Sequence, residues 1–127
     1  MNDKPESKII LALVSDLMFT VKITEAARRN GMAVQYVKTN GDLLEKASQH
    51  PALIIMDLNI SSAEPVKLIE QVKRSEATKK ISVLGYVSHV QVDLKMMAQE
   101  AGADVVMARS AFSQNLAQIL KRHSGPW

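Results

Sequence analysis

The sequence predicts an α/β protein in which a doubly wound, five-stranded parallel sheet is flanked by five helices in three α/β/α layers. Three observations predict this fold class. Five short apolar runs are spread along the chain, amphipathic segments of helix length follow each run, and 127 residues suffice for one domain with its own core. We expect a single domain over residues 8–122, with loose termini at 1–7 and 123–127.

The predicted strands are runs of mostly apolar residues, which are typical of strands covered on both faces. In chain order they are Lys8–Val14, Ala33–Val37, Ala52–Met56, Ile81–Val87 and Asp104–Ala108. Parallel strands need crossover connections, which are usually helical and right-handed. The segments between and after the runs are therefore expected to form helices.

Each predicted helix carries an apolar stripe that can face the sheet. In chain order the stripes are Phe19, Ile23, Ala26 and Ala27; Leu43, Leu44 and Ala47; Val66, Ile69 and Val72; Leu94, Met97, Ala98 and Ala101; and Phe112, Leu116, Ile119 and Leu120. Gly31 and Gly102 are stop signals for the first and fourth helices. Asp42 is the predicted N-cap of the second helix, which Pro51 closes, and the third ends near Ser75.

The composition excludes several classes of protein. The chain has no Cys, which rules out disulfide scaffolds, thiol nucleophiles and Cys-ligated zinc. Its 46% apolar content is too high for a disordered chain, and no apolar run approaches the length of a membrane span. The net charge of +3 comes from scattered basic residues and aromatics are few, so we expect no nucleic-acid partner. Without a signal peptide or a membrane segment, we expect a cytoplasmic protein.

The residues that follow the predicted strands supply the candidate chemistry. Ligands of open α/β sheets bind beyond the carboxyl ends of the strands. Asp16 follows the first strand, Asp57 the third, Ser88 the fourth and Arg109 the fifth. Asp57 comes directly after three apolar residues, where a carboxylate needs a partner such as a divalent cation or Arg109. The alternative is a structural Asp57–Arg109 ion pair, with Asp16 only capping the first helix.

The other patterns indicate no further chemistry. The glycines are isolated, so no Gly-rich phosphate loop follows the first strand. The three His show no metal spacing, and no Ser lies in a Gly-x-Ser-x-Gly elbow, so we expect no enzyme of the hydrolase type. The seven Met are interpreted mainly as core residues, with Met96, Met97 and Met107 alternatively lying on a contact surface.

Four segments resemble the receiver domain of two-component response regulators, the CheY-like, flavodoxin-like fold, over about residues 8–122. The segment from Lys8 to Asp16 is similar to the first strand and its acidic cluster, and His50–Leu58 is similar to the stretch around the phosphoacceptor Asp. Ala101–Asp104 resembles the turn before the fifth strand, and Phe112 matches the aromatic residue that opens the last helix. The resemblance implies signal transduction by phosphorelay.

The resemblance also implies roles for single residues. Asp57 takes the place of the phosphoacceptor, which receives a phosphoryl group from a histidine kinase or a phosphotransfer protein. Asp16, Asp57 and the main-chain carbonyl of Asn59 take the places of the Mg²⁺ ligands, and Ser15 stands where the family has a further carboxylate. Mg²⁺ prefers hard oxygen ligands and keeps several waters, so the loss of one carboxylate weakens the site without abolishing it. Arg109 stands at the place of the family's Lys.

Two departures concern the family's conformational switch. The switch Ser or Thr after the fourth strand aligns with Val87, which has no hydroxyl, and Ser88 follows one residue later. The switch aromatic of the fifth strand aligns with Val106. We therefore interpret the chain as an atypical receiver or a pseudo-receiver.

Three functions follow as hypotheses. The first is a single-domain receiver with phosphoacceptor Asp57, whose output passes to a protein partner through the face of helix 4, strand 5 and helix 5, because no length remains for an output domain. The second is a docking module that works without phosphorylation, in which Arg109 holds Asp57. The third, of another class, is a small-molecule or flavin binder on a flavodoxin-like fold, since a fold does not fix a function.

Overall fold

Strands and helices alternate along the chain in this computed structural model, which describes residues 7–88 and 91–124. The strands are β1 (Ile9–Leu13), β2 (Ala33–Val37), β3 (Leu53–Asp57), β4 (Ser82–Val87) and β5 (Val105–Ala108). The helices are α1 (Leu17–Arg29), α2 (Asn40–Ala47), α3 (Pro65–Arg74), α4 (Val92–Ala101) and α5 (Arg109–Arg122). None of the described helices is both long enough and apolar enough to span a bilayer.

All five strands pair in parallel in one sheet of order β2-β1-β3-β4-β5. The order reverses at β1, because the chain moves outward to β2 and then returns to the other side of β1 to form β3. The carboxyl ends of β1 and β3 are therefore adjacent at the position where open α/β sheets bind ligands. The predicted fold class, a doubly wound parallel sheet with five helices, is confirmed.

Apolar side chains cover both faces of the sheet. One layer joins the sheet to α1 and α5 and includes Ile55 and Leu84, whereas the other joins it to α2, α3 and α4 and includes Ile54 and Val83. Neighbouring residues of β3 and β4 enter opposite layers because successive side chains of a strand point to opposite faces. Double coverage explains why these strands are continuous apolar runs in the sequence.

The start of α2 differs from the prediction. Thr39 is the N-cap, in an extended conformation, and its hydroxyl accepts a hydrogen bond from the N–H of Asp42 at 3.1 Å. Asp42 lies inside the first turn, so its prediction as the cap was wrong. Both residue types are good caps, and the sequence pattern alone did not separate them.

The stripe predicted for α4 is only partly buried. Ala98 is its one fully buried residue among those described, Leu94 and Ala101 pack partly against the core, and Met97 is 52% exposed. The prediction of Met97 as a core residue was therefore wrong. Met96 is also half exposed, so this pair follows the contact-surface alternative. Because α4 buries only Ala98 completely and Leu94 and Ala101 partly, its buried stripe is narrower than the sequence indicates.

Part of the predicted C-terminal end is hydrogen-bonded. His123 Nδ1 lies 2.9 Å from the carbonyl oxygen of Ile119, and the Lys8 ammonium donates to the carbonyl of Ser124. These contacts tie the end of α5 to the start of β1. The rest of the predicted termini, residues 1–6 and 125–127, lies outside the described residues.

Candidate functional site

The candidate site lies at the carboxyl edge of the sheet, beside the reversal of strand order. Asp16 follows β1 as the N-cap of α1, Asp57 is the last residue of β3, and Arg109 is the first residue of α5 directly after β5. These positions result from the parallel arrangement, which brings the ends of all strands to one edge. The two carboxylates and the guanidinium interact electrostatically, so the fold brings together three groups that are far apart in the sequence.

Both oxygens of Asp16 are engaged. Oδ1 accepts a hydrogen bond from the N–H of Phe19 at 3.1 Å, and Oδ2 accepts one from Arg109 Nη2 at 2.7 Å. The Phe19 N–H is the main cause that lowers the pKa of Asp16; the positive charge of Arg109 lowers it further, while desolvation opposes both. Asp16 is thus both a helix cap and an ion-pair partner.

Arg109 is held by two contacts. Besides its bond to Asp16, its guanidinium carbon lies 4.6 Å from the centre of the Phe19 ring, within the range of a cation–π interaction. Among the described residues, Arg109 forms no ion pair with Asp57, so the alternative of a structural Asp57–Arg109 pair was wrong. The physical reason is the position of Asp16, whose capping geometry at the start of α1 leaves Oδ2 directed at the guanidinium.

Asp57 is partly buried and has one hydrogen bond among the described residues. Its Oδ1 accepts from the N–H of Asn59 at 2.9 Å. Burial raises the pKa of Asp57; the Asn59 N–H and the charge of Arg109 oppose this rise, and the neighbouring Asp16 carboxylate adds to it. Within residues 7–88 and 91–124, Oδ2 of Asp57 accepts no hydrogen bond, and the carboxylate lies near the like charge of Asp16 and the guanidinium of Arg109.

The side chain of Asn59 connects the loop after β3 to the loop after β4 by hydrogen bonds. Its Oδ1 accepts from the N–H of Ser88 at 2.8 Å, and its Nδ2 donates to Gln91 Oε1 at 2.8 Å. Sequence reasoning assigned only the main-chain carbonyl of Asn59 and missed this role of its side chain. The Asp-x-Asn spacing could have indicated only the bond from the Asn59 N–H to Asp57, because the partners of the side chain lie 29 and 32 residues further along the chain.

The other predicted residues differ in their surroundings. Val87 is 3% exposed and belongs to the same buried cluster as Val106, on the sheet face of α2, α3 and α4. Ser88 and Ser15 are exposed, and the main-chain N–H of Ser88 is bonded to Asn59. The valine pair therefore fills the core on that face and offers no hydroxyl to Asp57.

Tyr86 is the residue at this site that sequence reasoning missed. It is the register partner of Asp57 in the β3–β4 pair and is only 1% exposed. Its ring stacks on Phe112 at 4.8 Å and 11°, and lies 5.2 Å from that of Phe19. Burial raises the pKa of Tyr86, and the charge of Asp57 raises it further. Among the described residues, its hydroxyl has no hydrogen-bond partner. The signal was a phenol inside an otherwise apolar run.

The site contains oxygen ligands of the kind that a hard divalent cation binds. Asp16, Asp57 and the Asn59 carbonyl are the kinds of ligand that Mg²⁺ takes in proteins. Within residues 7–88 and 91–124, no cluster of three or more His, Cys, Asp or Glu side chains is arranged to hold a metal. Arg109 already occupies one oxygen of Asp16, so a cation there shares that carboxylate with the guanidinium.

The chain is similar to many solved structures at low sequence identity. A response regulator from Hahella chejuensis is 19% identical, with 92% of this chain and 95% of that chain covered and a TM-score of 0.81. The phosphorylated cyanobacterial phytochrome response regulator RcpA is 20% identical, with 91% and 90% covered and a TM-score of 0.77. The Mn²⁺-bound form of response regulator Rcp1 is 15% identical, with 91% and 90% covered and a TM-score of 0.74.

No protein-family model and no curated protein matches the chain. The structural neighbours also include a chemotaxis response regulator and a CheY-like receiver domain protein. At such low identities the likeness concerns the fold. The predicted resemblance to CheY-like receiver domains is therefore confirmed for the architecture of the chain, and what the site does is a separate question.

Proposed function

We propose that residues 8–122 form a receiver domain of two-component signal transduction that accepts a phosphoryl group on Asp57. The observation that carries the proposal is the position of Asp57 at the carboxyl end of β3, beside the reversal of strand order, with Arg109 and Asp16 acting on it electrostatically. Oδ1 is bound to the Asn59 N–H, which leaves Oδ2 for a reaction. A phosphorylated response regulator and a Mn²⁺-bound one share this fold.

In the proposed reaction, a carboxylate oxygen of Asp57 attacks the phosphorus of a phosphohistidine on a histidine kinase or a phosphotransfer protein. An O–P bond forms, the P–N bond breaks, and its electron pair returns to the imidazole nitrogen. The Asn59 N–H orients the carboxylate, and Arg109 places a positive charge near the phosphoryl oxygens. Mg²⁺, held by Asp57, the Asn59 carbonyl and Asp16, would neutralise charge on those oxygens, with Ser15 beside it.

The proposed output is a protein–protein contact in the cytoplasm. The face formed by α4, β5 and α5 carries large exposed apolar side chains at Val92, Met96, Met97 and Val105. Apolar groups of this size at the surface mark contact sites when they cluster, and methionines adapt to differently shaped partners. No nucleic-acid or membrane partner is proposed.

A second candidate is a docking module that works without phosphorylation. The observation that favours it is the burial of Val87 and Val106 in one apolar cluster, because neither side chain can respond to a phosphoryl group by hydrogen bonding. In this alternative, the same apolar face binds its partner whatever the state of Asp57.

Phosphate uptake separates the two candidates. The chain is incubated with acetyl phosphate and Mg²⁺, and acid-labile phosphate is measured by intact mass. We expect uptake by the parent and by Asp42→Asn, a control at an exposed carboxylate, but none by Asp57→Asn. A parallel arm with EDTA tests the cation. If the parent takes up nothing while a reactive receiver is labelled in the same buffer, or if Asp57→Asn is labelled equally, the receiver proposal is wrong.

A further inference from the structure

The hydroxyl of Tyr86 is a buried polar group that the proposed reaction does not yet use. The residue is 1% exposed, and its hydroxyl has no hydrogen-bond partner in the described part of the chain. A buried donor without a partner destabilises a folded protein, and native structures contain few of them. Phenylalanine would fill the same apolar space without this disadvantage, so the phenol requires an explanation.

The surroundings of the phenol connect it to the candidate site. Tyr86 and Asp57 are register partners in neighbouring parallel strands, and side chains at paired positions leave the sheet on the same face. The Tyr86 ring is fixed between Phe112 and Phe19, and the Phe19 ring also carries the guanidinium of Arg109. The phenol therefore lies on the same side of the sheet as Asp57, and the charges of Asp57, Arg109 and Asp16 all act on it.

The other residues near the end of β4 do not supply a hydroxyl to the buried side of Asp57. Val87 has none and packs on the opposite face of the sheet. Ser88 is exposed, in the loop that Asn59 fastens. Of the two hydroxyl residues of β4 on the sheet face of Asp57, Ser82 pairs with Leu53 at the far end of the strand, whereas Tyr86 pairs with Asp57 itself.

We infer that the Tyr86 hydroxyl donates a hydrogen bond to the phosphoryl group carried by Asp57. This inference rests on the proposed function. With the carboxylate alone, the phenol has no acceptor among the residues that the structure describes, whereas a phosphoryl group extends the Asp57 side chain and adds three strong acceptor oxygens. A buried donor to a charged oxygen stabilises the phosphorylated form and helps to exclude water from the acyl phosphate bond. Tyr86 then replaces the hydroxyl that Val87 lacks.

The test compares Tyr86→Phe with Tyr36→Phe. Each substitution removes one phenolic oxygen, but the Tyr36 hydroxyl already bonds Thr24 and the carbonyl of Thr20 at 2.7 Å. Two quantities are measured for each chain: the thermal midpoint without phosphate, and the rate at which acid-labile phosphate is lost after labelling with acetyl phosphate and Mg²⁺. We expect Tyr86→Phe to melt at or above the parent midpoint and to lose phosphate about tenfold faster, as one charged hydrogen bond implies. Tyr36→Phe is expected to melt lower and to lose phosphate at the parent rate.

The outcomes separate this inference from the proposed function. If the parent is not labelled, the receiver proposal fails and the role of Tyr86 fails with it. If the parent is labelled but Tyr86→Phe loses phosphate at the parent rate, only the role of Tyr86 is wrong. A clear loss of stability or of folding in unlabelled Tyr86→Phe would also overturn the inference, because it would show that the hydroxyl has a structural partner.

Discussion

Replacing each of the two carboxylates of the site by an amide is expected to change the stability of the fold in opposite directions. Asp57 is partly buried, and among the described residues it has one hydrogen bond and no ion pair. Asn at this position keeps an oxygen for the Asn59 N–H and removes a charge that burial and Asp16 disfavour. Because Arg109 is paired with Asp16, the substitution Asp57→Asn leaves no guanidinium without its partner. We therefore expect Asp57→Asn to stabilise the fold.

The size of the stability gain in Asp57→Asn follows from the partial burial of the carboxylate. The cost that Asn avoids is that of the buried charge, which amounts to several kcal/mol for an ion fully removed from water. Asp57 is only partly buried, and the Asn59 N–H and the charge of Arg109 compensate part of this cost, so we expect a gain of about 1 kcal/mol at pH 7. For a domain of this length, that corresponds to a rise of about 4 °C in the thermal midpoint.

The matched variant is Asp16→Asn. Asn is as good an N-cap as Asp, so the bond from the Phe19 N–H is kept and the main loss is the charge that pairs with Arg109. The carboxylate of Asp16 is stabilised in the folded chain, as its lowered pKa shows. We therefore expect Asp16→Asn to melt below the parent, the opposite sign to Asp57→Asn.

The pH dependence of stability tests the expected direction of change in both variants. A raised folded pKa at Asp57 means that the parent is penalised at neutral pH, and that the penalty fades as the pH falls through the folded pKa toward about 4. A lowered folded pKa at Asp16 means that its contribution is present above the unfolded pKa and is lost as the pH falls through the folded value. Thermal melts from pH 7 to pH 3 should therefore show the two variants converging on the parent from opposite sides.

The assay is a series of reversible thermal melts followed by circular dichroism, with Asp42→Asn as the exposed control. A lower midpoint for Asp57→Asn than for the parent at pH 7 would contradict the expected gain. A difference that grows on acidification would also refute it, because it would mean that the Asp57 carboxylate is stabilised by the fold.

Three further predictions concern the surroundings of the site. In Gly85→Ala the added Cβ would lie 3.0 Å from the side-chain carbons of Leu58, so we expect a loss of about 1–2 kcal/mol in urea denaturation; an unchanged midpoint would contradict this packing. Arg109→Ala releases a carboxylate oxygen and removes a positive charge, so Mg²⁺ should bind more tightly by isothermal titration, and weaker binding would show that Arg109 does not compete with the cation. Asn59→Ala removes the acceptor of the Ser88 N–H, and hydrogen exchange of that amide should become faster; unchanged protection would show that the contact does not order the loop.

The fold was predictable from sequence because it depends on patterns that are local in the chain. Each strand appears as an apolar run, since both faces of the sheet are covered, and the stripe of α5 matches its four buried residues, Phe112, Leu116, Ile119 and Leu120. Ends of elements were less predictable. Thr39 and Asp42 are both good cap residues for α2, and the exposure of Met97 depends on how α4 packs against its neighbours, so the sequence pattern decides neither.

The order of apolar runs in the chain already indicates which groups stand at the edge of the sheet, because parallel strands bring Asp16, Asp57 and Arg109, which lie at or just after the strand ends, to a common side. Only the tertiary structure decided how these groups pair. The packing of α1 against α5 directs Arg109 to Asp16 and leaves Asp57 to the Asn59 N–H. Hydrogen bonds of side chains are short and directional, so which partner is chosen depends on distances that helix packing sets and that no local pattern encodes.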